Sequence, residues 1–340
     1  MPIITRTADS VESEDWRQVL SESFRRPADL LNWLGLPAAG LPGGSDDQPD
    51  FPMLVPRPYA RRMEARPDDP LLLQVLPLTE EKREQPGFIT DPLAEDSANT
   101  TPGIIHKYHG RVLLLAASGC AVNCRYCFRR HFPYADNRLS RAQWQQALDY
   151  VRRDNSISEI ILSGGDPLML QDADLQQLID HCQAIPHVRR LRIHTRLPVV
   201  IPQRLTPALT AMLAATRLQV SMVLHINHPR ELSDDHRRPL KSLAAAGITL
   251  LNQSVLLAQI NNNISVLSEL SERLFEFGIL PYYLHLLDRV KGAHHFDVPE
   301  SEAIALHQEL QTLLPGYLVP KLAREVAGLP NKAMIHLDRD

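Results

Sequence analysis

Short apolar runs alternate with amphipathic stretches along the chain from residue 111 onward. After the first interval, the runs rich in Leu, Ile or Val recur about every 30 residues and are bounded by turn residues. Between them, apolar positions recur at the spacing of a helix face. The predicted strands are Arg111–Ala117, Glu159–Leu162, Arg190–His194, Gln219–His225, Thr249–Leu256 and Tyr282–Leu287. The predicted helices are Ala142–Arg152, Asp174–Ala184, Pro207–Ala215, Asp235–Ala246 and Val266–Phe277.

Strands and helices that alternate in this way form parallel βα units. A closed barrel needs eight such units, and the pattern provides six. The sequence therefore predicts an α/β fold in which a partial (βα)6 barrel spans residues 106–300. Because sites in parallel sheets form at the C-terminal ends of the strands, we expect the functional residues at that edge.

The regions on either side of the barrel have a different pattern. Residues 1–105 are proline-rich and irregular, with two short predicted helices, Glu12–Phe24 and Ala28–Leu34. Residues 301–340 follow the last predicted strand. We therefore expect a mostly helical or irregular N-terminal extension (1–105), the barrel (106–300) and a short C-terminal segment (301–340).

Composition narrows the classes of function. The 340 residues carry a net charge of −4, so no global positive field predicts nucleic-acid binding. No apolar run reaches the roughly 18 residues of a membrane span, and the first residues lack the pattern of a signal peptide. A cytoplasmic protein is therefore expected. Only six of the 36 basic residues are lysines, which leaves few candidates for a lysine that binds a cofactor covalently.

Three of the four cysteines, Cys120, Cys124 and Cys127, lie within eight residues, just after the first predicted strand. In a cytosolic chain, such a C-x3-C-x2-C cluster indicates metal or redox chemistry. Thiolates are the usual ligands of iron–sulfur clusters, and three of them leave one iron of a four-iron cluster open. Zinc is the alternative, but structural zinc usually pairs two separated C-x2-C elements. The isolated Cys182 is expected to be a core residue.

The cysteine spacing, with Tyr126 before the last cysteine, resembles the signature of radical S-adenosylmethionine (SAM) enzymes. Further motifs across roughly residues 13–340 resemble one family of that class, the lysine 2,3-aminomutases. Several independent motifs in one order make this resemblance specific. They are Asp91–Asp96, Pro102–Gly103, His106–Tyr108, Cys127–Arg130, Arg196–Arg204, His225–Pro229, Asn252–Leu257 and Pro281–Tyr283.

The resemblance implies a 4Fe–4S cluster, held by the three cysteines, whose open iron binds SAM. An electron from the cluster would then release a 5′-deoxyadenosyl radical. Tyr126 is the aromatic that would flank the cofactor. The motif Gly164-Gly165-Asp166 would receive the SAM amino group, because glycines expose their backbone and an acid accepts from an ammonium.

The resemblance also implies pyridoxal 5′-phosphate (PLP), because moving an amino group between neighbouring carbons requires a π system. Lys332 matches the lysine that holds PLP, and Lys321 is the competing candidate. Where long aminomutases have a run of glycines before this lysine, the present chain has Gly328–Asn331. The expected PLP pocket contains the phosphate-region arginine, Arg111, together with Lys107, Tyr108 and Gln253.

On the substrate side, Arg129 matches the arginine that binds the carboxylate of the amino acid, a task that suits a planar guanidinium. Asp288 and Glu325 match two acids that bind a distal ammonium, although the second is Asp in better-known members. Two acids favour a basic amino acid over a glutamate-type substrate. The expected reaction therefore interconverts L-α-lysine and (R)-β-lysine.

The chain ends eight residues after Lys332, whereas longer aminomutases continue with zinc-binding cysteines. In this it resembles a short bacterial branch associated with elongation factor P, to which a separate ligase attaches β-lysine. The expected partners are L-lysine, a reducing electron donor, elongation factor P with its ligase, and further copies of the chain in a homo-oligomer. Two alternatives stay open: a radical SAM enzyme without PLP or with another amino acid as substrate, and a non-enzymatic metal-binding protein.

Overall fold

The computed structural model describes residues 15–37, 40–41, 43–98, 101–132 and 141–335. At its centre is one sheet of nine strands whose order in space equals their order in sequence. The strands are β1 (Ile104–Tyr108), β2 (Arg111–Ala117), β3 (Glu159–Gly164), β4 (Arg190–Thr195), β5 (Gln219–Leu224), β6 (Thr249–Val255), β7 (Leu280–His285), β8 (Lys321–Arg324) and β9 (Ala333–Met334). From β2 to β8 every neighbouring pair is parallel, whereas β1 and β9 add to the two ends in antiparallel orientation.

Twelve helices accompany the sheet in the described part of the chain. They are α1 (Trp16–Ser21), α2 (Pro27–Leu34), α3 (Arg57–Ala60), α4 (Pro70–Leu73), α5 (Glu95–Ala98), α6 (Arg141–Arg153), α7 (Asp172–Gln183), α8 (Leu197–Val200), α9 (Pro207–Ala215), α10 (Asp234–Ala245), α11 (Ile264–Glu276) and α12 (Glu300–Leu313). No helix among the described residues has the length and apolarity needed to cross a membrane.

The six predicted strands and five predicted helices are confirmed, with ends that shift by a few residues. The sheet is open and mostly parallel, which confirms the partial barrel. In the N-terminal extension, the first helix begins at Trp16, where Asp15 accepts a hydrogen bond from the backbone of Arg17. Residues 12–14 of that predicted helix lie outside the described residues.

Three strands and one long helix were not predicted. β1, β8 and β9 are short, and each forms by pairing with a neighbouring strand rather than through an apolar pattern of its own. They extend the sheet beyond both ends of the predicted barrel (106–300): β1 begins at residue 104, and β8 and β9 lie after residue 300. α12 covers a second, smaller apolar core that includes Leu284, Leu310 and Leu322.

Alternation along the strands separates the core from the concave face of the sheet. In β4, Leu191 and Ile193 are buried in the main core, while Arg192 and His194 point to the other face. β6 repeats this arrangement, with Leu250 in the core and Gln253 on the concave face. Because side chains alternate with a period of two, the barrel presents a polar inner surface to any molecule that it encloses.

Candidate active site

A cavity of about 440 Å³ lies on the concave face of the sheet. All fifteen residues that the sequence analysis assigned to a site line this cavity: Lys107, Tyr108, Arg111, Cys120, Cys124, Tyr126, Cys127, Arg129, Gly164, Gly165, Asp166, Gln253, Asp288, Glu325 and Lys332. Gly164 and Asp166 lie at the C-terminal edge of the sheet, as expected, whereas Arg111 begins β2 and Gln253 lies within β6. The cavity therefore continues from that edge into the barrel.

Two tight backbone contacts position the cysteine loop. The backbone N–H of Gly165 donates to the Ala117 carbonyl, and that of Asp166 donates to the Gly119 carbonyl, both at 2.8 Å. A side chain on Gly165 would collide with the backbone of Gly119. Gly164 has a φ of +109°, and a Cβ there would lie 2.7 Å from the Ala117 carbonyl oxygen. Both glycines are therefore required for the loop after β3 to lie against the loop that carries Cys120.

The three cysteines are half-buried free thiols on the wall of the cavity, whereas Cys182 is buried in the core, as expected. Burial raises the pKa of Cys127 to about 11 and also raises the pKa of Cys120. A cationic centre would offset this cost of ionisation, because a bound metal deprotonates a coordinating thiol. Among the described residues, no three His, Cys, Asp or Glu side chains are placed so that they could hold one metal ion together. A four-iron cluster does not need this, because each thiolate binds its own iron.

A buried arginine contacts this cysteine loop. Arg196 follows β4, and its Nη1 donates to Sγ of Cys124 at 2.8 Å and to the hydroxyl of Tyr126. Its Nη2 donates to Oε2 of Glu231 at 2.9 Å and to Oε1 of Gln74 at 2.8 Å. Tyr126 is the aromatic residue that was predicted to flank the cofactor. Its hydroxyl is therefore already held by Arg196 beside the cysteine loop.

Asp166 is engaged by the protein itself. Its Oδ1 accepts from the Thr195 hydroxyl at 2.7 Å and from the backbone of Leu168 at 3.0 Å. Its Oδ2 accepts from the backbone N–H groups of Arg196 and Leu197 at 2.7 and 2.8 Å. Burial raises the pKa of Asp166, and these four donors oppose that effect. A cofactor ammonium would have to share this carboxylate, so its assignment to the SAM amino group stays a prediction.

At the C-terminal segment, three charged side chains meet. Lys332 Nζ lies 2.7 Å from Oε2 of Glu325, and Lys107 Nζ lies 3.2 Å from Oε1 of the same carboxylate. Burial alone would raise the pKa of Glu325, but the two ammonium groups outweigh it and lower the pKa to about 2. Glu325 is therefore ionised and orients both lysines in the cavity.

Lys332 and its competing candidate, Lys321, differ in their position relative to the cavity. Of the chain's six lysines, all of which the structure describes, only Lys107 and Lys332 line the cavity. Lys332 Nζ lies 5.8 Å from the centre of the Tyr283 ring. Lys321 is exposed and lies instead beside the Tyr282 ring. The geometry thus favours Lys332 as the residue that could hold a carbonyl cofactor.

Asp288 lies near Glu325, Lys332 and Lys107, but its side chain makes no hydrogen bond to any described residue. Burial and the negative charge of Glu325 raise its pKa to about 7, although Lys332 and Lys107 partly oppose this. An unpaired carboxyl group that is half-protonated near neutral pH is suited to receive a cationic ligand, because a cation would favour its ionised form.

Arg129 is paired with an acid that the sequence analysis did not single out. Its Nε and Nη2 donate to the two carboxylate oxygens of Glu95 at 2.6 and 2.8 Å. Its Nη1 donates to the Ser163 hydroxyl at 3.1 Å and to the Gly164 carbonyl at 3.3 Å. Lys107 lies 3.7 Å from the same Glu95 carboxylate. A carboxylate can therefore occupy this fork of the guanidinium, as the predicted substrate role requires.

The predicted phosphate region combines cations and aromatic rings. The Arg111 guanidinium lies 4.7 Å from the centre of the Tyr108 ring. Arg192, which was not predicted, also lines the cavity and is paired with Glu159 through oxygens at 2.7 Å. Arginines of this kind suit a phosphate group. Gln253 adds an amide on the neighbouring wall.

Three histidines in the wall were also missed by the sequence analysis. His194, His225 and His285 line the cavity, and the Nε2 atom of each is buried without a hydrogen-bond partner among the described residues. Burial lowers the pKa of His225 to about 4 and also lowers the pKa values of His194 and His285. All three are therefore neutral. His225 and Arg196 lie in motifs that carried the family resemblance, which was the available signal for them.

An open, mostly parallel α/β barrel with three clustered thiols after its first parallel strand defines a radical SAM enzyme. Residues 108–191 match the family model described as a 4Fe-4S single cluster domain. A radical SAM methyltransferase from Sphaerobacter thermophilus, at 18% identity, superposes with a TM-score of 0.45 and covers 65% of this chain and 68% of that one.

Sequence relatives identify the family. The chain is 50% identical over 324 residues to an L-lysine 2,3-aminomutase of Haemophilus influenzae, which covers 95% of this chain and 96% of the relative. It is 49% identical over 333 residues to the L-lysine 2,3-aminomutase of Escherichia coli K12, with 97% of both chains covered. For the enzyme of Clostridium subterminale, identity is 34% and 76% of that relative is covered. The chain belongs to the L-lysine 2,3-aminomutase family.

Proposed function

We propose that the chain is an L-lysine 2,3-aminomutase that interconverts L-α-lysine and (R)-β-lysine with a 4Fe–4S cluster, SAM and PLP. Family membership supports this proposal. The observation that carries it is that one cavity contains both the three cluster-type thiols and Lys332. A cysteine-bound cluster and a lysine-bound cofactor could therefore act on the same small molecule.

The residues present fit the cluster and SAM. Cys120, Cys124 and Cys127 would each hold one iron, and the open iron would bind the amino and carboxylate groups of SAM. When bound, this pair supplies a 5′-deoxyadenosyl radical. Gly164 and Gly165 bring bare backbone to the cavity wall beside the cysteine loop. We propose that this wall accepts the SAM amino group.

The residues present also fit PLP. Lys332 would bind its carbonyl carbon, and Arg111, with Lys107, Tyr108 and Gln253 around it, would bind its phosphate. When bound, PLP supplies the π system through which nitrogen can move between neighbouring carbons. Before that, the ion pair with Glu325 at 2.7 Å holds the Lys332 ammonium inside the cavity.

For the substrate, we propose that its carboxylate takes the place of Glu95 on the Arg129 fork. Lys107, 3.7 Å from Glu95, is positioned to receive the displaced acid. The distal ammonium of lysine would bind Asp288, with Glu325 as the second acid. A glutamate side chain would meet like charges at this end and be excluded.

The test is anaerobic reconstitution of the full chain with iron, sulfide and PLP. The protein is then incubated with L-lysine, SAM and dithionite, and β-lysine is measured by chromatography. We expect β-lysine from the complete mixture and none when SAM is omitted. L-glutamate in place of L-lysine is the matched substrate control and should give no β-amino acid. Iron, PLP and SAM in place without β-lysine would contradict the proposal.

We further propose that the product is attached to elongation factor P by a separate ligase, that a cytoplasmic donor supplies the electron, and that the chain works as a homo-oligomer. The resemblance to the short bacterial branch supports the first point, and the need for reduced thiols supports the second. Deleting the gene should remove the β-lysine mass from elongation factor P. Sedimentation of the reconstituted protein tests the oligomer.

A further inference from the structure

Arg196 contacts the cysteine loop, and neither the motif spacing nor the family resemblance gave it a role. Its Nη1 donates to Sγ of Cys124 at 2.8 Å. We propose that Arg196 sets the reduction potential of the cluster: its cationic hydrogen bond to the Cys124 thiolate stabilises the reduced cluster and so raises the potential. This inference rests on the proposed function, because it requires the cluster to be held by that thiolate.

The guanidinium is held in this position by buried groups. Glu231 accepts from Nη2 through Oε2 at 2.9 Å, and Gln74 accepts from the same nitrogen through Oε1 at 2.8 Å. Glu231 and Gln74 are fully buried, and Arg196 is nearly so. The Glu231 Oε1 atom accepts from the backbone of Asn227 at 2.9 Å, which fixes the carboxylate. Arg196 is therefore preorganised toward the sulfur.

Burial makes this contact electrically important. The reduced cluster carries one more negative charge than the oxidised cluster, and hydrogen bonds to its sulfurs and nearby charges set its potential. In a buried setting with low dielectric constant, a charged donor acts more strongly than it would in water. During reduction, dithionite gives one electron to the cluster, and no protein bond forms or breaks. A lower potential would make that electron harder to load.

The same network contains a charge of opposite sign, which gives the proposal a second prediction. The Glu231 carboxylate lies 2.9 Å from Nη2 of Arg196 and weakens the field of the guanidinium at Cys124. Removing the positive charge in Arg196→Gln should lower the potential, whereas removing the negative charge in Glu231→Gln should raise it. A residue that merely packs would not move the potential in opposite directions with the sign of the deleted charge.

The experiment is a redox titration of the reconstituted full chain, without SAM, PLP or lysine, followed by the EPR signal of the reduced cluster. A hydrogen bond from a charged donor changes an equilibrium by about ten- to a hundredfold. We expect the ratio of reduced to oxidised cluster in Arg196→Gln to be about tenfold lower at a given potential, which is about 59 mV for one electron. In Glu231→Gln the ratio should be higher than in the wild type.

Arg204→Gln is the matched control. Arg204 is also a fully buried arginine of the same motif, but it contacts the Leu168 carbonyl and Asp172 rather than a cysteine. Its potential should equal that of the wild type. Arg196→Lys keeps the positive charge and should restore the ratio to within about threefold of the wild type. The double variant Arg196→Gln/Glu231→Gln leaves no unpaired buried charge. It replaces Arg196→Gln in the titration if that single variant does not fold.

Iron and sulfide counts separate the outcomes. Full iron with an unchanged ratio in Arg196→Gln would overturn this proposal and leave the proposed function intact. If no replacement of Arg196 holds iron while Arg204→Gln does, the residue is structural and the proposal fails. Wild-type protein that binds no iron would overturn both. Because SAM is absent from the titration, an effect of Arg196 on SAM binding cannot mimic the expected shift.

Discussion

Asp288→Asn should lower lysine turnover and at the same time stabilise the ligand-free protein. Among the acids near Lys332, Asp288 is the one whose side chain has no hydrogen-bond partner among the described residues, and its pKa is raised to about 7. Its charged surroundings are Glu325, Glu95, Lys332 and Lys107. The unpaired carboxylate is therefore costly to the free protein and available to a substrate ammonium.

The loss of turnover follows from the lost ion pair. A hydrogen bond between charged groups contributes roughly 1.5–3 kcal/mol, so kcat/KM for L-lysine should fall by about ten- to a hundredfold in Asp288→Asn. In the wild type, binding of the ammonium requires the ionised form of Asp288. The kcat/KM of the wild type should therefore fall about tenfold per pH unit below a pKa of about 7, and this dependence should be absent in the variant.

The stability effect has the opposite sign. In the unfolded chain the Asp288 carboxyl group loses its proton near pH 3.8, whereas in the folded protein it does so near pH 7. Between these values the folded state binds more protons, so the free energy of unfolding falls as pH rises. At 1.36 kcal/mol for each unit of the pKa difference, the ionised carboxylate lowers the free energy of unfolding by up to about 4 kcal/mol. Because the side chain is partly accessible to water, we expect roughly 2–4 kcal/mol.

The assay combines steady-state kinetics from about pH 6 to 9 with urea unfolding of the ligand-free chain at about pH 4 and 8. Asp288→Asn should be more stable than the wild type at the higher pH and of similar stability at the lower. Asp297→Asn is the control, because Asp297 is paired with Arg289 at the surface and should change neither measurement. Wild-type kcat/KM in Asp288→Asn would refute the assignment of this acid to the substrate.

Three further predictions concern the same cavity. Cys124→Ala should lose cluster iron and all turnover, as should the other two clustered cysteines, whereas Cys182→Ala should keep both; iron analysis decides. Borohydride reduction of PLP-loaded protein followed by peptide mapping should place the pyridoxyl group on Lys332, and its recovery on any other lysine would contradict this. Glu325→Gln should lower the pKa of Asp288, because the neighbouring negative charge is gone, and so move the acid limb of the kcat/KM profile to lower pH; an unmoved limb would argue against their coupling.

Local pattern was sufficient to predict most of the fold. Strands such as Arg111–Ala117 have apolar runs of their own, and the structure has them where the pattern predicts. β8 and β9 have four and two residues, and they exist because the neighbouring strand offers free backbone groups. Pairing of this kind depends on tertiary structure, which a single-sequence pattern does not contain.

The site divides in the same way. The spacing of Cys120, Cys124 and Cys127 indicated chemistry without any structure, and resemblance supplied Lys332. The ion pair between Arg129 and Glu95 joins residues 34 apart in the sequence, and the contact of Arg196 with Cys124 joins residues 72 apart. Such contacts follow from how loops meet at the edge of the sheet, so sequence spacing could not predict them.

The partners of Glu325 illustrate the same limit. Resemblance assigned it to the distal ammonium of the substrate, but in the structure it is paired with two lysines of the protein, Lys332 and Lys107. Its low pKa of about 2 reflects these internal partners. Asp288 is the acid that is available to a ligand. The family resemblance thus identified both acids, and only geometry distinguished their surroundings.

In the proposed reaction, the α-amino group of lysine moves to the neighbouring carbon within this cavity. The most direct test uses L-lysine with ¹⁵N at the α-amino group, incubated with the reconstituted protein in buffer that contains unlabelled ammonium. We expect β-lysine with undiluted ¹⁵N on C3 and unlabelled nitrogen at the ε position. Loss of ¹⁵N to the buffer, or label-free nitrogen on C3, would contradict it.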